Sequence, residues 1–198
     1  MKNRQRPLGK RLLAMFSVLF LLAGSGCSTV LEATHDGPIQ QDPGKRSLGT
    51  YIDDQRIETI VKVNINKSHP DLKAADIGVT SFNGVVLLTG QIPDRELRLL
   101  AGRTAEQVQN VRQVYNETQI RGKVSLLATT NDAWLTTKVK TNLLSNKEID
   151  SGRIKVVTEN GVVYLMGLLT QTEAERAADV TRSIGGVQKV VKAVEYIN

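Results

Sequence analysis

Residues 83–90 read NGVVLLTG and residues 160–167 read NGVVYLMG, so one short stretch occurs twice at an offset of 77 residues. The similarity extends outward, because apolar residues on both sides of the two copies line up when single-residue gaps are allowed. Two copies are too few for a solenoid, which needs about three stacked repeats to bury its core. The repeat therefore indicates two small domains in tandem.

Each copy of the repeat predicts a β-hairpin. Asn-Gly between two β-rich runs favours a type I′ turn, in which both central residues have positive φ angles. We expect each Asn-Gly pair to form the turn and a later glycine to end the second strand. The residues assigned to these structural roles are Asn83, Gly84 and Gly90 in the first copy and Asn160, Gly161 and Gly167 in the second.

Helices and a last strand complete each copy. Apolar residues recur at helical spacing in residues 53–66 and 132–145, before the hairpins, and again after each hairpin. Last strands are expected at residues 114–120 and 190–197. Each copy thus reads helix, strand, strand, helix, strand in about 68 residues, which leaves little room for a deep catalytic cleft.

The first 26 residues are typical of an export signal, removed on maturation. Basic residues precede an apolar run at residues 12–23, which is shorter than the roughly 20 residues of a transmembrane helix. The small residues before Cys27 resemble the lipobox of bacterial lipoproteins, although Gly24 stands where leucine is usual. This resemblance implies that Cys27 is lipidated. Ser28, in place of an aspartate, implies an anchor on the periplasmic face of the outer membrane.

Removal of the signal changes the charge of the chain. The whole sequence has 26 basic and 20 acidic residues, and all five charged residues of the signal are basic. The mature chain therefore keeps 21 basic and 20 acidic residues, a balance that gives no support to a nucleic-acid partner.

The domain boundaries follow from these segments. A stretch rich in glycine, proline and polar residues precedes the first copy and is predicted to be a tether, in which Lys45 and Arg46 either contact anionic lipid or are solvated. The expected segments are a signal peptide at 1–26, a lipidated N-terminus and tether at 27–50, a first module at 51–121, a linker at 122–130 and a second module at 131–198.

The order of the elements, the Asn-Gly-Val-Val-x-Leu-x-Gly motif and the later residues Gly186, Val187 and Val190 resemble the BON domain, a family named for bacterial osmotic-shock and nodulation proteins. The resemblance covers roughly residues 47–198. It implies an α+β protein with two αββαβ modules, each a small three-stranded mixed sheet packed on two helices. It also implies a non-enzymatic outer-membrane protein whose second module binds anionic phospholipid through its first helix, with roles in envelope integrity and at the division septum.

The second copy carries a tryptophan that its core does not require. With Leu135, Val139 and Leu143 toward the core, Trp134 falls roughly 130° from the centre of the buried stripe and is expected to be exposed. Its counterpart in the first copy is Arg56.

An exposed tryptophan beside lysine is typical of a surface that meets an anionic membrane, for example one containing phosphatidylglycerol. The alternative is that Trp134 packs against the other module or the linker. The residues assigned to phospholipid binding are Trp134, Lys138, Lys140 and Thr141.

The sequence indicates no catalytic, cofactor or metal site. The histidines are His35 in the tether and His69 in a loop before Pro70, so no histidine pair forms within a module.

Two alternatives to lipid binding by the second module stay open. One is an adapter that holds envelope proteins on the sheet face of its first module, and the other is a periplasmic osmotic or envelope-stress protein; neither has a lipid contact beyond an N-terminal anchor.

Overall fold

The computed structural model describes residues 42–120 and 126–198, with the backbone alone for residues 126–129. Residues Asp42–Asn198 form one compact unit. The expected signal peptide, the lipidation site at Cys27 and most of the tether lie outside the described residues. Within the described part of the chain, no helix is long and apolar enough to cross a membrane.

The first module begins with a long helix that is capped by a serine. The hydroxyl of Ser47 accepts a hydrogen bond from the N–H of Thr50 at 3.1 Å, which satisfies one of the free donors of the first turn. The elements of this module are α1 (Leu48–Ser68), α2 (Pro70–Ala74), β1 (Ile77–Phe82), β2 (Val85–Ile92), α3 (Arg95–Glu106), β3 (Gln113–Asn116) and β4 (Gln119–Ile120).

The second module repeats this order with fewer interruptions. Its second helix starts with a capping box, because Thr170 and Glu173 each bond the backbone N–H of the other. The elements are α4 (Leu126–Ser145), a 3₁₀ turn (Ser151–Arg153), β5 (Ile154–Glu159), β6 (Val162–Leu169), α5 (Gln171–Arg182) and β7 (Lys189–Tyr196).

Both sheets are mixed. The two hairpin strands are antiparallel in each module, with Phe82 opposite Val85 and Glu159 opposite Val162 next to the turns. The third strand runs parallel to the second, as β3 beside β2 and β7 beside β6. In the first module this strand is interrupted after Asn116, and β4 then resumes the pairing with β2. The predicted fold class, two αββαβ modules with mixed three-stranded sheets, is confirmed.

Helices cover one face of each sheet. Successive strand residues point to opposite faces, so alternate residues of β2 and β6 contact the helices. The buried residues that the first helices contribute are Ile57, Val61 and Ile65 from α1 and Leu135, Val139 and Leu143 from α4.

The opposite faces of the two sheets pack against each other. Phe82 and Leu87 of the first module form one buried cluster with Tyr164 and Met166 of the second. Burial raises the pKa of the Tyr164 hydroxyl to about 12. The layers therefore run helix, sheet, sheet, helix, and the outer sides of α1 and α4 face in opposite directions. The sheet face that the adapter hypothesis assigned to a protein partner is covered by the second module.

Charged side chains lie at the edges of this interface. Arg112 donates to Glu195 at 3.0 Å, and the Asn83 amide donates to the same carboxylate at 3.1 Å. The hydrogen bond from Arg112 holds the pKa of Glu195 below its usual range. Lys155 donates to Glu58 at 2.8 Å. These contacts join the modules on both sides of the apolar cluster.

Several helix boundaries differ from the sequence expectation. Helix α1 begins at Leu48 rather than at residue 53, and α4 begins at Leu126, so it includes residues 126–130, which we expected in the linker. His69 is the single non-helical residue between α1 and α2, directly before Pro70, and the short helix α2 follows it. The His69 imidazole accepts from the N–H of Asp71 at 3.2 Å, and Pro70 occupies the first turn, where a proline is tolerated.

Gly90 and Gly167 lie inside their strands rather than at the ends, since β2 and β6 each continue beyond them. A side chain at Gly167 would come within 2.6 Å of the Arg153 carbonyl oxygen, and one at Gly90 would overlap the Asp76 carbonyl. These glycines therefore allow the backbone at the start of each hairpin to approach closely.

Candidate functional site

A buried aspartate fixes α4 to the hairpin of its own module. Asp132 accepts hydrogen bonds from the backbone N–H groups of Asn160 at 2.6 Å and Gly161 at 2.8 Å. Asn160 and Gly161 have φ angles of 49° and 74°, the left-handed pair of a type I′ turn. Because these bonds leave α4 little freedom to rotate on its sheet, they also set the direction of Trp134, half a turn later.

The first module has the same arrangement with more donors. Asp54 accepts from the Ser81 hydroxyl at 2.7 Å and from the N–H groups of Asn83 at 2.8 Å and Gly84 at 2.9 Å. Arg46 donates to it at 2.7 Å. Burial acts to raise the pKa of Asp54, but the hydrogen bonds together hold it below its usual range.

Sequence reasoning missed both aspartates, although a signal was present. Each lies three residues before the first core residue of its helix, Ile57 or Leu135, and therefore on the buried side of the helix. An acidic residue at the same buried position of both copies, each followed by an Asn-Gly turn, indicates a carboxylate that accepts from the turn backbone.

Trp134 lies on the outer side of α4. Its side chain is 58% exposed, so it is not packed between the modules. The Lys138 ammonium lies 4.9 Å from the centre of the indole ring, within the range of a cation–π interaction. Lys138 also approaches the carbonyl oxygen of Gly185 at 3.4 Å, which holds the lysine beside the ring.

Thr141 extends this surface by one turn, whereas Lys140 does not. Thr141 is exposed, and its hydroxyl donates to the Thr137 carbonyl at 2.9 Å. Lys140 is exposed but lies about 120° around the helix from Trp134 at 100° per residue. The structure thus brings together three of the four assigned residues. We call the surface formed by Trp134, Thr137, Lys138, Thr141 and the exposed Leu144 the Trp134 face.

The exposed side of α4 is cationic. Asp132 is the only acidic residue in the sequence of this helix, and it is 8% exposed and bonded to the hairpin. Lys138 and Lys140 therefore have no exposed carboxylate on α4 to neutralise them. An aromatic ring beside the Lys138 ammonium group can contact a membrane surface, where the ring meets the apolar layer and the ammonium group meets anionic headgroups.

Arg46 has neither of the roles expected for it. Its side chain is 17% exposed and pairs with Asp54, so it is withdrawn from lipid and from bulk solvent. Within residues 42–120 and 126–198, no group of three or more histidine, cysteine, aspartate or glutamate side chains is placed to hold a metal ion.

Comparison with known proteins identifies the repeated unit. The family model of the BON domain matches residues 53–122 and 131–198. The chain is 33% identical to the outer membrane lipoprotein DolP of Haemophilus influenzae, over 96% of this chain and 97% of that protein. It is 38% identical to the 21 kDa hemolysin of Actinobacillus pleuropneumoniae over 82% of each chain.

A more distant relative is the osmotically inducible protein Y of Escherichia coli, with 27% identity over 92% of this chain and 93% of that protein. Among solved structures, the C-terminal domain of CdsD, a structural protein of the type III secretion system of Chlamydia trachomatis, covers 73% of this chain and 67% of its own at 15% identity. Its TM-score of 0.29 is too low to support an argument.

Proposed function

This chain belongs to the BON-domain family and carries two such domains, and we propose that it is a non-enzymatic lipoprotein of the outer membrane that binds anionic phospholipid through the Trp134 face. In this proposal Cys27 carries the lipid anchor at the periplasmic face, and the binding supports envelope integrity and localisation to the division septum. The similarity to an outer membrane lipoprotein and to an osmotically inducible protein supports a place in the bacterial envelope.

The observation that carries the proposal is the exposed Trp134 ring beside Lys138 on a helix without an exposed carboxylate. Indole rings prefer the headgroup level of a bilayer, and an ammonium group near an anionic membrane surface contributes about 1 kcal/mol. With one aromatic ring and one lysine, the Trp134 face binds weakly and depends on anionic lipid.

Weak binding is sufficient for a chain that is already anchored. A lipidated Cys27 keeps the modules near the bilayer, where a short flexible linker gives an effective concentration of order millimolar. The Trp134 face then selects lipid composition and orients the protein, while the acyl chains supply the attachment.

Co-sedimentation with lipid vesicles tests this proposal. The mature chain with Cys27→Ser should bind phosphatidylglycerol-containing vesicles and not pure phosphatidylcholine, and Trp134→Ala should weaken binding by roughly tenfold through the loss of one buried aromatic contact. Arg56→Ala, at the matching position of α1, is the control and should bind normally. Equal binding by Trp134→Ala and the control contradicts the assignment of the site.

A second candidate function, protein interaction, is favoured by a different surface. Leu48, Ile52, Ile60 and Val63 of α1 are exposed apolar side chains on the outer side of the first module. Grouped apolar residues at a surface are typical of protein contacts. A pull-down from detergent extract, lost on Ile52→Asp and kept on Trp134→Ala, would favour this adapter function.

A further inference from the structure

The segment that precedes α1 contacts both modules. Residues 42–45 form a turn, in which the N–H of Lys45 donates to the Asp42 carbonyl at 3.0 Å and the N–H of Gly44 donates to the Asp42 carboxylate at 2.9 Å. Arg46 and Ser47 follow and lead directly into α1. The last part of the expected tether is thus folded onto the protein.

One end of this segment is bound to the second module. Both carboxylate oxygens of Asp42 accept from the same nitrogen of Arg153, at 2.7 and 2.6 Å. Arg153 also donates to Glu173 at 3.2 Å and lies 3.3 Å from Asp150, and its side chain is only 19% exposed. Lys45 lies 3.7 Å from Asp42 and 3.9 Å from Asp150. Five charged side chains therefore meet at a partly buried point, where ion pairs are screened less than at an open surface.

Gly44 fits closely against the same arginine. It is buried, and a side chain at this position would come within 2.6 Å of the Arg153 guanidinium and its last methylene. The turn and Arg153 are therefore complementary in shape as well as in charge.

The other end of the segment is bound to the first module at its boundary with the second. Arg46 pairs with the buried Asp54 at 2.7 Å, and its guanidinium lies 3.9 Å from the centre of the Phe82 ring. Phe82 belongs to the apolar cluster that joins the two sheets. A single side chain therefore links the segment, the hairpin aspartate and the inter-module cluster.

We propose that residues 42–47 are a clasp, which fastens the second module to the first. In sequence order the first module is nearer to the N-terminus, yet Asp42 contacts Arg153 of the second. The stretch from Cys27 to Asp42 spans at most about 50 Å when fully extended. With Asp42 bound to Arg153, an anchor at Cys27 lies within that distance of the second module, a consequence that rests on the proposed function.

Amide hydrogen exchange of the mature chain with Cys27→Ser, without lipid, tests the clasp itself. The N–H groups of Gly44 and Lys45 should be protected. Arg153→Ala, a change more than a hundred residues away in sequence, should raise their exchange rates roughly tenfold or more through the loss of charge-assisted hydrogen bonds. Arg182→Ala removes an exposed arginine of the same module that pairs with Asp179, and it is the matched control that should leave both rates unchanged.

Asp42→Asn changes the other partner of the ion pair and serves if Arg153→Ala perturbs the fold of the second module. It should also raise the exchange rates of the Gly44 and Lys45 N–H groups. Unprotected Gly44 and Lys45 amides in the unmodified sequence, or protection that survives both Arg153→Ala and Asp42→Asn, would overturn the clasp. Because no lipid is present, this outcome is independent of whether the Trp134 face binds vesicles.

Discussion

The outer sides of α1 and α4 hold equivalent positions in the two modules but carry different side chains. Arg56, Ile60 and Val63 of α1 stand where α4 has Trp134, Lys138 and Thr141. The buried sides of the same helices are nearly interchangeable, because each contributes three aliphatic residues and one aspartate. What the modules share specifies the fold, and what differs is free to specify function.

The largest expected effect lies in the shared part. Asp54→Ala should lower the free energy of unfolding by about 3 kcal/mol, because it leaves a hydroxyl, two turn N–H groups and Arg46 without their acceptor. Asp132→Ala should cost about 2 kcal/mol, since it removes the acceptor of two N–H groups. Urea unfolding measures both, with the exposed Asp53→Ala as a control expected to stay within about 0.5 kcal/mol. Losses as small as that of the control would contradict the role of Asp54 and Asp132 as acceptors that stabilise the hairpins.

The pH dependence of stability should show whether the charge of the Asp54 carboxylate stabilises the fold. The folded-state pKa of Asp54 is lowered, so its stabilising contribution is present above the unfolded value of about 3.9 and is lost as pH falls through the folded value. Urea unfolding of the unmodified chain and of Asp54→Asn, followed from pH 6 to pH 3, should show a stability gap that narrows below about pH 4. A gap that stays constant over this range would rule out the Asp54 carboxylate as its source.

A smaller effect should appear when a residue of α1 is placed on α4. Lys138→Ile places on α4 the residue type that α1 has at the matching position, Ile60. It should weaken binding to phosphatidylglycerol vesicles about fivefold, because one ammonium group near an anionic surface contributes about 1 kcal/mol. The reverse change, Ile60→Lys, should leave binding unchanged because α1 faces away from α4. Co-sedimentation at low and high salt measures both, and the deficit of Lys138→Ile should shrink as salt screens the lysine. A gain of binding by Ile60→Lys would show that the two outer sides are equivalent.

Much of the fold was predictable from local chemistry. The Asn-Gly pairs at residues 83 and 160 and the helical spacing of Leu135, Val139 and Leu143 depend on turn geometry and periodicity, which a single sequence contains. The exposure of Trp134 followed from the same periodicity.

Long-range contacts were harder to predict. The interaction of Arg46 with Asp54 and the packing of Phe82 against the second module depend on how elements meet in space. The sequence did contain a signal for the packing of Phe82 and its sheet against the second module. The continuous apolar run Val85–Leu88 is typical of a strand covered on both faces, and β2 is indeed buried along its whole length.

The fluorescence of Trp134 is the measurement that tests the central claim most directly, because this is the only tryptophan in the chain. Adding phosphatidylglycerol-containing vesicles to the mature chain should shift its emission to the blue and make it accessible to quenchers attached to the acyl chains, since the indole ring moves to the headgroup level. Pure phosphatidylcholine vesicles should cause neither change. Co-sedimentation with anionic vesicles while the emission and quenching stay as in buffer would contradict the account, because the protein would then bind lipid through a surface other than the Trp134 face.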